Sequence, residues 1–343
     1  MKVRLHTILL HYFDEVKIKT VKTLQSGLIN STYKVETSQG TFIIQKINEE
    51  VFANIKDLLN NKIKVVNYLH THNFPTIQFL KTTRDIFYVN TDDGIWQVSR
   101  YISSCVQHKI DSLKTATQLG GYLARFHSAL TDFPMSELGI TIPDFHNTEK
   151  RYNDFLTSSA SALEERQLKA QTEIKYIKEN FGFIQAIAEA IQKETIPQRV
   201  VHNDTKVSNF LFTTEGELLT IIDFDTVMPG SVLHDIGDAL RTGASTAPED
   251  EQDLSKVTFN SAIYDAFITA YVKKGQSFLT PKELNAIPFS LPLILMEQAC
   301  RFLEDYLRND VYYNVKYEIH NLVRTRTQLH LFKQVKQHLE KTT

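Results

Sequence analysis

A chain of 343 residues and 39.5 kDa is long for one core and comfortable for two lobes, with a cleft as the default place for a ligand. Lys plus Arg at 38 against Asp plus Glu at 40 gives a formal charge of -2, which excludes a blanket electrostatic pull toward nucleic acid or anionic lipid. Cys105 and Cys300 lack CxxC or metal-ligand spacing, which argues against a disulfide framework or zinc centre and suits a reducing cytoplasm.

In chain order, MKVRLHTILLHYF has no small-residue cleavage site after it and reads as an N-terminal helix. No stretch approaches the roughly 20 apolar residues that span a bilayer, so a soluble protein is expected. Residues 21–47 alternate as three short antiparallel strands, with a loop at Gly27 and a tight turn at Ser38, Gln39 and Gly40. Ile55, Leu58, Leu59, Ile63, Val66 and Leu69 then recur at helical spacing, and DIFYVNTDDGIWQVSRYI reads as a hairpin turning at Asp92, Asp93 and Gly94. Beyond residue 103 the pattern turns helical. LKTATQLGGYLARFHSAL is a buried helix, and Ile177, Phe181, Ile184, Ile187 and Ile191 form one helical stripe. SAIYDAFITAYVKK and LHLFKQVKQHLEK show the same periodicity, and all these stripes are assigned to core packing. The expected architecture is α+β: a small antiparallel-sheet lobe over residues 1–98, a hinge over 99–104 and a larger, mainly helical lobe over 105–343.

The chemistry concentrates in RVVHNDTKVSNFLF, where His202, Asp204 and Asn209 fit H-x-D-x-x-x-x-N, the catalytic-loop pattern of protein kinases without its arginine. An acceptor hydroxyl needs a carboxylate within hydrogen-bond reach to take its proton, the role expected of Asp204. An amide oxygen one turn on holds magnesium without adding charge, the role expected of Asn209. Asp223, ending the apolar LLTIID, supplies a carboxylate suited to bridge magnesium to the β- and γ-phosphates. A hairpin turning at Thr214, Glu215 and Gly216 links the two acids. Asp225 falls on the same side as Asp223 if the strand continues, which makes it a second metal-ligand or substrate candidate. Asp235 and Asp238 are expected to hold the catalytic loop through its backbone, with Arg241 one turn after Asp238.

In the small lobe, Lys46 shares a strand face with Ile44 and is expected to reach the α- and β-phosphates; taken alone, it reads as an edge-strand lysine. The loop SGLINSTY carries one glycine and not G-x-G-x-x-G, so Asn30, Ser31 and Thr32 would supply amide, hydroxyl and backbone donors to phosphate.

HNDTKVSNFLF together with IIDFDTVMPGSVLHDIGDALR resembles the aminoglycoside phosphotransferase and choline kinase superfamily, and is most similar to bacterial N-acetylhexosamine 1-kinases. The likeness extends through FIIQKINEEVF, LGITIPDFHNTEKRYNDF and RFLEDYLRNDVYYNVKYEIHNLVRTRTQL, and so covers nearly the whole chain. The resemblance implies a protein-kinase-like two-lobed fold, with Asp204 as base, Asn209 and Asp223 on magnesium and Lys46 on the ATP phosphates. It places the adenine against a hinge formed by Arg100, Tyr101 and Ile102, and the sugar against Arg301 and Tyr312, with Tyr312 or Tyr313 as the aromatic wall. On a helix face Arg301 reads equally well as the i, i+4 partner of Asp305. Two departures stand out. Protein kinases pair the strand lysine with a glutamate of the next helix, where this chain has Asn60 and Asn61, with Asp57 a turn earlier. Leu28 stands at a loop position where relatives often carry a more polar residue.

The expected activity is therefore ATP- and magnesium-dependent transfer of the γ-phosphoryl group to a sugar hydroxyl, the anomeric one of an N-acetylhexosamine. A kinase of another small hydroxyl acceptor, such as an aminoglycoside or choline, would need clustered acids in the large lobe; only residues 248–251 are densely acidic, and they read as a solvated loop. A catalytically silent nucleotide-binding module fits poorly with intact Lys46, Asp204, Asn209 and Asp223. The expected partners are ATP and a small sugar, with no nucleic acid and no membrane, in a cytoplasmic monomer or weak dimer.

Overall fold

The computed structural model describes residues 1–24, 30–49, 52 and 54–342, so the expectations placed on Gly27 and Leu28 lie outside the described residues. The chain runs α1 (Lys2–Leu9), β1 (Ile18–Leu24), β2 (Ser31–Thr37), β3 (Gly40–Lys46), α2 (Ile55–Thr71), β4 (Val89–Thr91), β5 (Gly94–Arg100) and β6 (Cys105–Val106). There follow α3 (Leu113–Ala129), α4 (Thr148–Ser161), α5 (Glu164–Lys169), α6 (Gln171–Asn180), α7 (Gly182–Gln192), β7 (Arg199–Val201), β8 (Phe210–Phe212), β9 (Leu218–Ile221) and β10 (Met228–Gly230). The C-terminal part holds α8 (Val232–Gly243), α9 (Ser261–Gly275), α10 (Pro281–Ala286), α11 (Ser290–Leu307) and α12 (His320–Thr342).

The chain divides into two compact units, and the division is not a single cut near residue 100. Unit 1 joins Met1–Val106 with Ser136–Ile142 and Leu211–Val227; unit 2 comprises Gln107–Met135, Pro143–Phe210 and Met228–Thr343.

Unit 1 is built on an antiparallel sheet of order β1-β2-β3-β5-β4. Its strands alternate, and the two faces are covered differently. Val35, Phe42, Ile44, Trp96 and Val98 pack under α1 with Leu5, Ile8 and Leu9. On the opposite face Ile95 joins Ile47 and Phe52 against Ile55, Leu58, Leu59 and Ile63 of α2. The β4-β5 hairpin closes on Gly94, whose φ of 114° suits only a residue without Cβ. Asn61 of α2 ties the later segments to this unit: its Nδ2 donates to Gly139 O at 2.8 Å and Val227 O at 2.9 Å, and its Oδ1 accepts from Gly139 N at 3.0 Å. A small β6-β8-β9 sheet completes the unit, with Cys105 opposite Phe212 and Val106 opposite Leu211.

Unit 2 is mainly helical. α3 and α9 approach so closely that a Cβ on Gly120 would lie 2.2 Å from the Phe267 carbonyl. The stripe expected on one helix falls on two, because the helix breaks at Phe181 and Gly182, a poor helix former; Ile177, Phe181 and Ile184 are buried, whereas Ile187 and Ile191 are only partly so. The expectation that no stretch could span a bilayer also needs correction. The helical run Pro281–Leu307 is long and apolar enough to do so, and 78% of its apolar window is buried within the protein, as in the core helix of a globular unit.

Candidate active site

In unit 2, β7 pairs antiparallel with β10, Val201 opposite Met228, and delivers the loop from His202 to Asn209. Ser231 caps α8 by accepting from Leu233 N, which sets Asp235 in the first helical turn. From there Asp235 accepts from the backbone N–H of His202 at 2.8 Å and of Asn203 at 2.6 Å, and from His127 Nε2 at 2.9 Å. Burial pushes its carboxyl up, but His127, His202 and the loop N–H groups outweigh burial and bring it below the usual range. Thr205 Oγ1 donates to Asp235 O, and Val207 N to Thr242 Oγ1 at 2.9 Å. Asp238, expected to join this anchoring, instead pairs with Arg241 at 2.9 Å, and Arg241 also holds Glu249 at 2.8 Å.

The loop so held bends through Asn203, whose φ is 64°, a left-handed conformation that asparagine tolerates. Asp204 Oδ2 accepts from Lys206 Nζ at 2.6 Å and Asn209 Nδ2 at 3.0 Å, while Oδ1 has no donor among the described residues. Burial pushes the Asp204 carboxyl up, but the Lys206 ammonium, His202 and Asn209 hold it below the usual carboxylate range. Asn209 Nδ2 also donates to Asp204 O at 2.8 Å, so its Oδ1, which accepts no hydrogen bond among the described residues, fits a hard cation.

Next to this loop lies a polar cluster of widely separated residues. His146 donates through Nδ1 to Glu297 Oε1 at 2.7 Å and through Nε2 to Asn203 O at 3.1 Å. Donation from both nitrogens requires the imidazolium; burial pushes its pKa down, but Glu297 outweighs that and raises it. Thr148 donates to the other Glu297 oxygen, and the carboxyl is brought down to about 2 by His146 and its neighbours against the upward push of burial. His234 stacks on His146 at 4.7 Å with neither ring nitrogen hydrogen-bonded among the described residues, and burial beside that cation brings it down to about 3.

Arg301 lies over the rings of Phe145, at 5.4 Å, and Tyr313, at 5.9 Å, with no ion pair to any described residue. The alternative pairing with Asp305 does not form, because Asp305 accepts from Tyr312 N, Tyr313 N and Asn321 Nδ2 at 2.8, 2.9 and 2.9 Å. Of the two tyrosines expected there, it is the Tyr313 ring that lies against Arg301; Tyr312 is 68% exposed and its ring packs edge-on against that of Tyr313.

In unit 1, Asp223 lies two residues past the end of β9, at the head of the 3₁₀ turn Phe224–Thr226, with a φ of 69°. Asp225 is buried and clamped from two sides, by Lys62 of α2 on Oδ1 and by Asn30 Nδ2 on Oδ2. Both oxygens of the carboxylate expected on metal or substrate thus already meet a donor from within unit 1. Asn30 Oδ1 accepts from Asn48 N at 2.9 Å, and Thr32 Oγ1 accepts from Gln45 Nε2 at 3.3 Å, so these two side chains are engaged within the unit, whereas Ser31 is exposed. At the expected hinge, Arg100 N donates to Gln78 O and Tyr101 N to Thr41 O, while Ile102 O accepts from Ser104. Two hinge backbone donors are therefore used internally, and the Tyr101 ring lies under Lys34 at 3.9 Å.

The placement of Lys46 departs most from expectation. It shares the face of Phe42 and Ile44, the face under α1, and its ammonium sits 3.1 Å from Asp93, which Arg4 of α1 also holds. On the α2 side of β3 the corresponding residue is Gln45.

Residues 20–268 match the APH family, described as the phosphotransferase enzyme family. The chain belongs to that family. Solved structures agree with its fold. An aminoglycoside phosphotransferase from Alicyclobacillus acidocaldarius matches with a TM-score of 0.65 at 15% identity, over 98% of this chain and 96% of that one. An AMP-bound spectinomycin phosphotransferase matches with a TM-score of 0.66 at 13% identity, over 97% of each chain. Plasmodium vivax ethanolamine kinase matches with a TM-score of 0.59 at 13% identity, over 95% of this chain and 87% of that one. At such identities the likeness is one of fold. Within this phosphotransferase, motif reading located Asp204 and Asn209 but missed Lys206, His146, Glu297 and Thr242. Lys206 stands inside the motif, two residues after Asp204, and that spacing was the available signal.

Proposed function

We propose that this phosphotransferase is an ATP- and magnesium-dependent kinase of a neutral sugar, acting on the anomeric hydroxyl of an N-acetylhexosamine. The observation that carries the reading is Arg301, a guanidinium lying over two aromatic rings that forms no direct ion pair with a described residue, the nearby Glu297 carboxylate acting on it only through space. Hydrogen-bond donors beside apolar walls suit a polyhydroxylated neutral ligand. A cationic acceptor would call for spare carboxylates, and in unit 2 buried Asp235, Asp238, Glu173, Glu283, Glu297 and Asp305 each already meet an internal donor, with Asp238 Oδ2 and Glu173 Oε2 the oxygens left unpaired among the described residues. The choice of an N-acetylated hexose rests on the sequence resemblance.

In this reading Asp204 Oδ1 accepts the proton of the attacking hydroxyl, while Lys206 and Asn209 fix the carboxylate through Oδ2. A loose phosphoryl-transfer transition state asks for orientation more than for a strong base, so a carboxylate of lowered pKa suffices. Asn209 Oδ1 and the Asp223 carboxylate would hold magnesium, which when bound neutralises charge on the β- and γ-phosphates. The test is turnover of magnesium-ATP with N-acetylglucosamine, N-acetylgalactosamine, choline, ethanolamine and an aminoglycoside, read by phosphorus NMR. A hexosamine 1-phosphate is the expected product. Turnover of amino alcohols or aminoglycosides with no hexosamine product would overturn the sugar reading and leave the family assignment standing.

A further inference from the structure

Beside the apolar cluster of Ile47, Ile95 and α2, one stretch of the same unit 1 sheet face is polar where a helix-sheet interface is ordinarily apolar. Thr32, Gln45 and Gln97 stand in register across β2, β3 and β5. Gln97 is 2% exposed, and neither of its amide atoms has a hydrogen-bond partner among the described residues. Such an amide is costly to bury unless something completes it.

Lys62 enters the same region from α2 and is 1% exposed. Its ammonium donates to Asp225 Oδ1, whose companion oxygen is taken by Asn30, and its other recorded neighbour is the Phe79 ring at 5.6 Å. An ammonium carries three donors, so two lack an acceptor among the described residues. Phe79 bridges to Ser99, two residues after Gln97 on β5, and a buried cation with two idle donors there lacks acceptor atoms that phosphate oxygens would supply. On the opposite face, Lys46 is paired with Asp93, and the β3 residues on the α2 side, Thr41, Ile43 and Gln45, are all uncharged.

We propose that Lys62, and not Lys46, is the cation that holds the nucleotide phosphates, with Gln97 as a second polar contact and Asp225 as the counter-ion that orients the ammonium. The proposal rests on the kinase reading above. The strand lysine of a kinase is thereby moved to the neighbouring helix.

The test is calorimetric titration of the full chain with ADP and, separately, with adenosine, which has no phosphate. Lys62→Met weakens ADP by at least about tenfold, about 1.4 kcal/mol, and leaves adenosine within about twofold. Lys46→Ala leaves both within about twofold. Because Lys62→Met strands a buried carboxylate, Lys62→Met/Asp225→Asn removes both charges; it recovers the melting temperature but keeps the ADP loss. The proposal is overturned if the double variant binds ADP as tightly as wild type, if ADP and adenosine weaken in parallel, or if Lys46→Ala weakens ADP as much as Lys62→Met. A wild-type chain that binds neither ligand refutes the kinase reading itself, and this proposal with it.

Discussion

The catalytic loop of unit 2 and the α2-covered face of unit 1 are both buried and polar, and they are satisfied to different degrees. Around the loop, Asp235 and Thr242 take the N–H groups of His202, Asn203 and Val207, and His146 takes the carbonyl of Asn203. Under α2, Gln97 has no partner among the described residues, and Lys62 meets one oxygen. The contrast separates two tasks. A reacting carboxylate gains from being fixed before anything binds, whereas a ligand-holding surface gains from polar groups that only the ligand completes.

The largest effect should come from the loop itself. Asp204→Asn is expected to lower kcat by about 10²–10⁴-fold with little change in melting temperature, since asparagine still accepts from Lys206 and Asn209. Steady-state rates beside a thermal melt check this, and near-normal kcat would mean the fixed carboxylate is not the base. Asp235→Ala should cost about 3–5 kcal/mol in a denaturant titration, because it leaves His127 and two loop N–H groups without their acceptor.

Arg301→Ala sharpens the acceptor side. Loss of hydrogen bonds from a charged donor predicts a fall of about 10–100-fold in kcat/KM for the sugar, with ADP affinity unchanged. Equal losses in both would make Arg301 a packing residue.

A pH series probes the His146–Glu297 pair. The folded pKa of His146 is raised above 6.5, so its contribution to stability is fully present below pH 6.5 and is lost as pH rises through the raised value. Glu297→Gln should flatten that alkaline loss in stability curves. Asp204, held below the usual carboxylate range, should stay ionised across the same interval, so an acid limb from it falls below ordinary carboxylate pH. The smallest effect belongs to Tyr312→Ala, expected within about 0.5 kcal/mol of wild type because the side chain is exposed.

Much of this arrangement was legible in the sequence because its signals are local. The hairpin at Gly94, the helix from Ile55 and the H-x-D-x-x-x-x-N loop each announce themselves within about twenty residues. Lys46 shows where local reading stops. That it shares a face with Ile44 was readable, but which face α1 covers depends on packing between separate elements, and Ile44 lies under α1. Asp225 was equally visible as an acid, while its partner Lys62 lies 163 residues earlier. His146, Glu297 and Asn203 likewise converge from distant parts of the chain and share no motif. For Arg301, i, i+4 spacing suggested Asp305, yet backbone donors eight residues and fewer beyond that acid had already filled it.

The three hydrogen bonds of Asn61 bear on the order of events at the ribosome. Its amide needs Gly139 and Val227, so the first 106 residues emerge without the partners that complete their own unit. Units generally fold as wholes during synthesis. Here the Asn61 amide gains its Val227 acceptor, and the Lys62 ammonium its Asp225 partner, only once residues 225–227 have left the exit tunnel; until then the ammonium stays hydrated and the amide has only Gly139 to pair with.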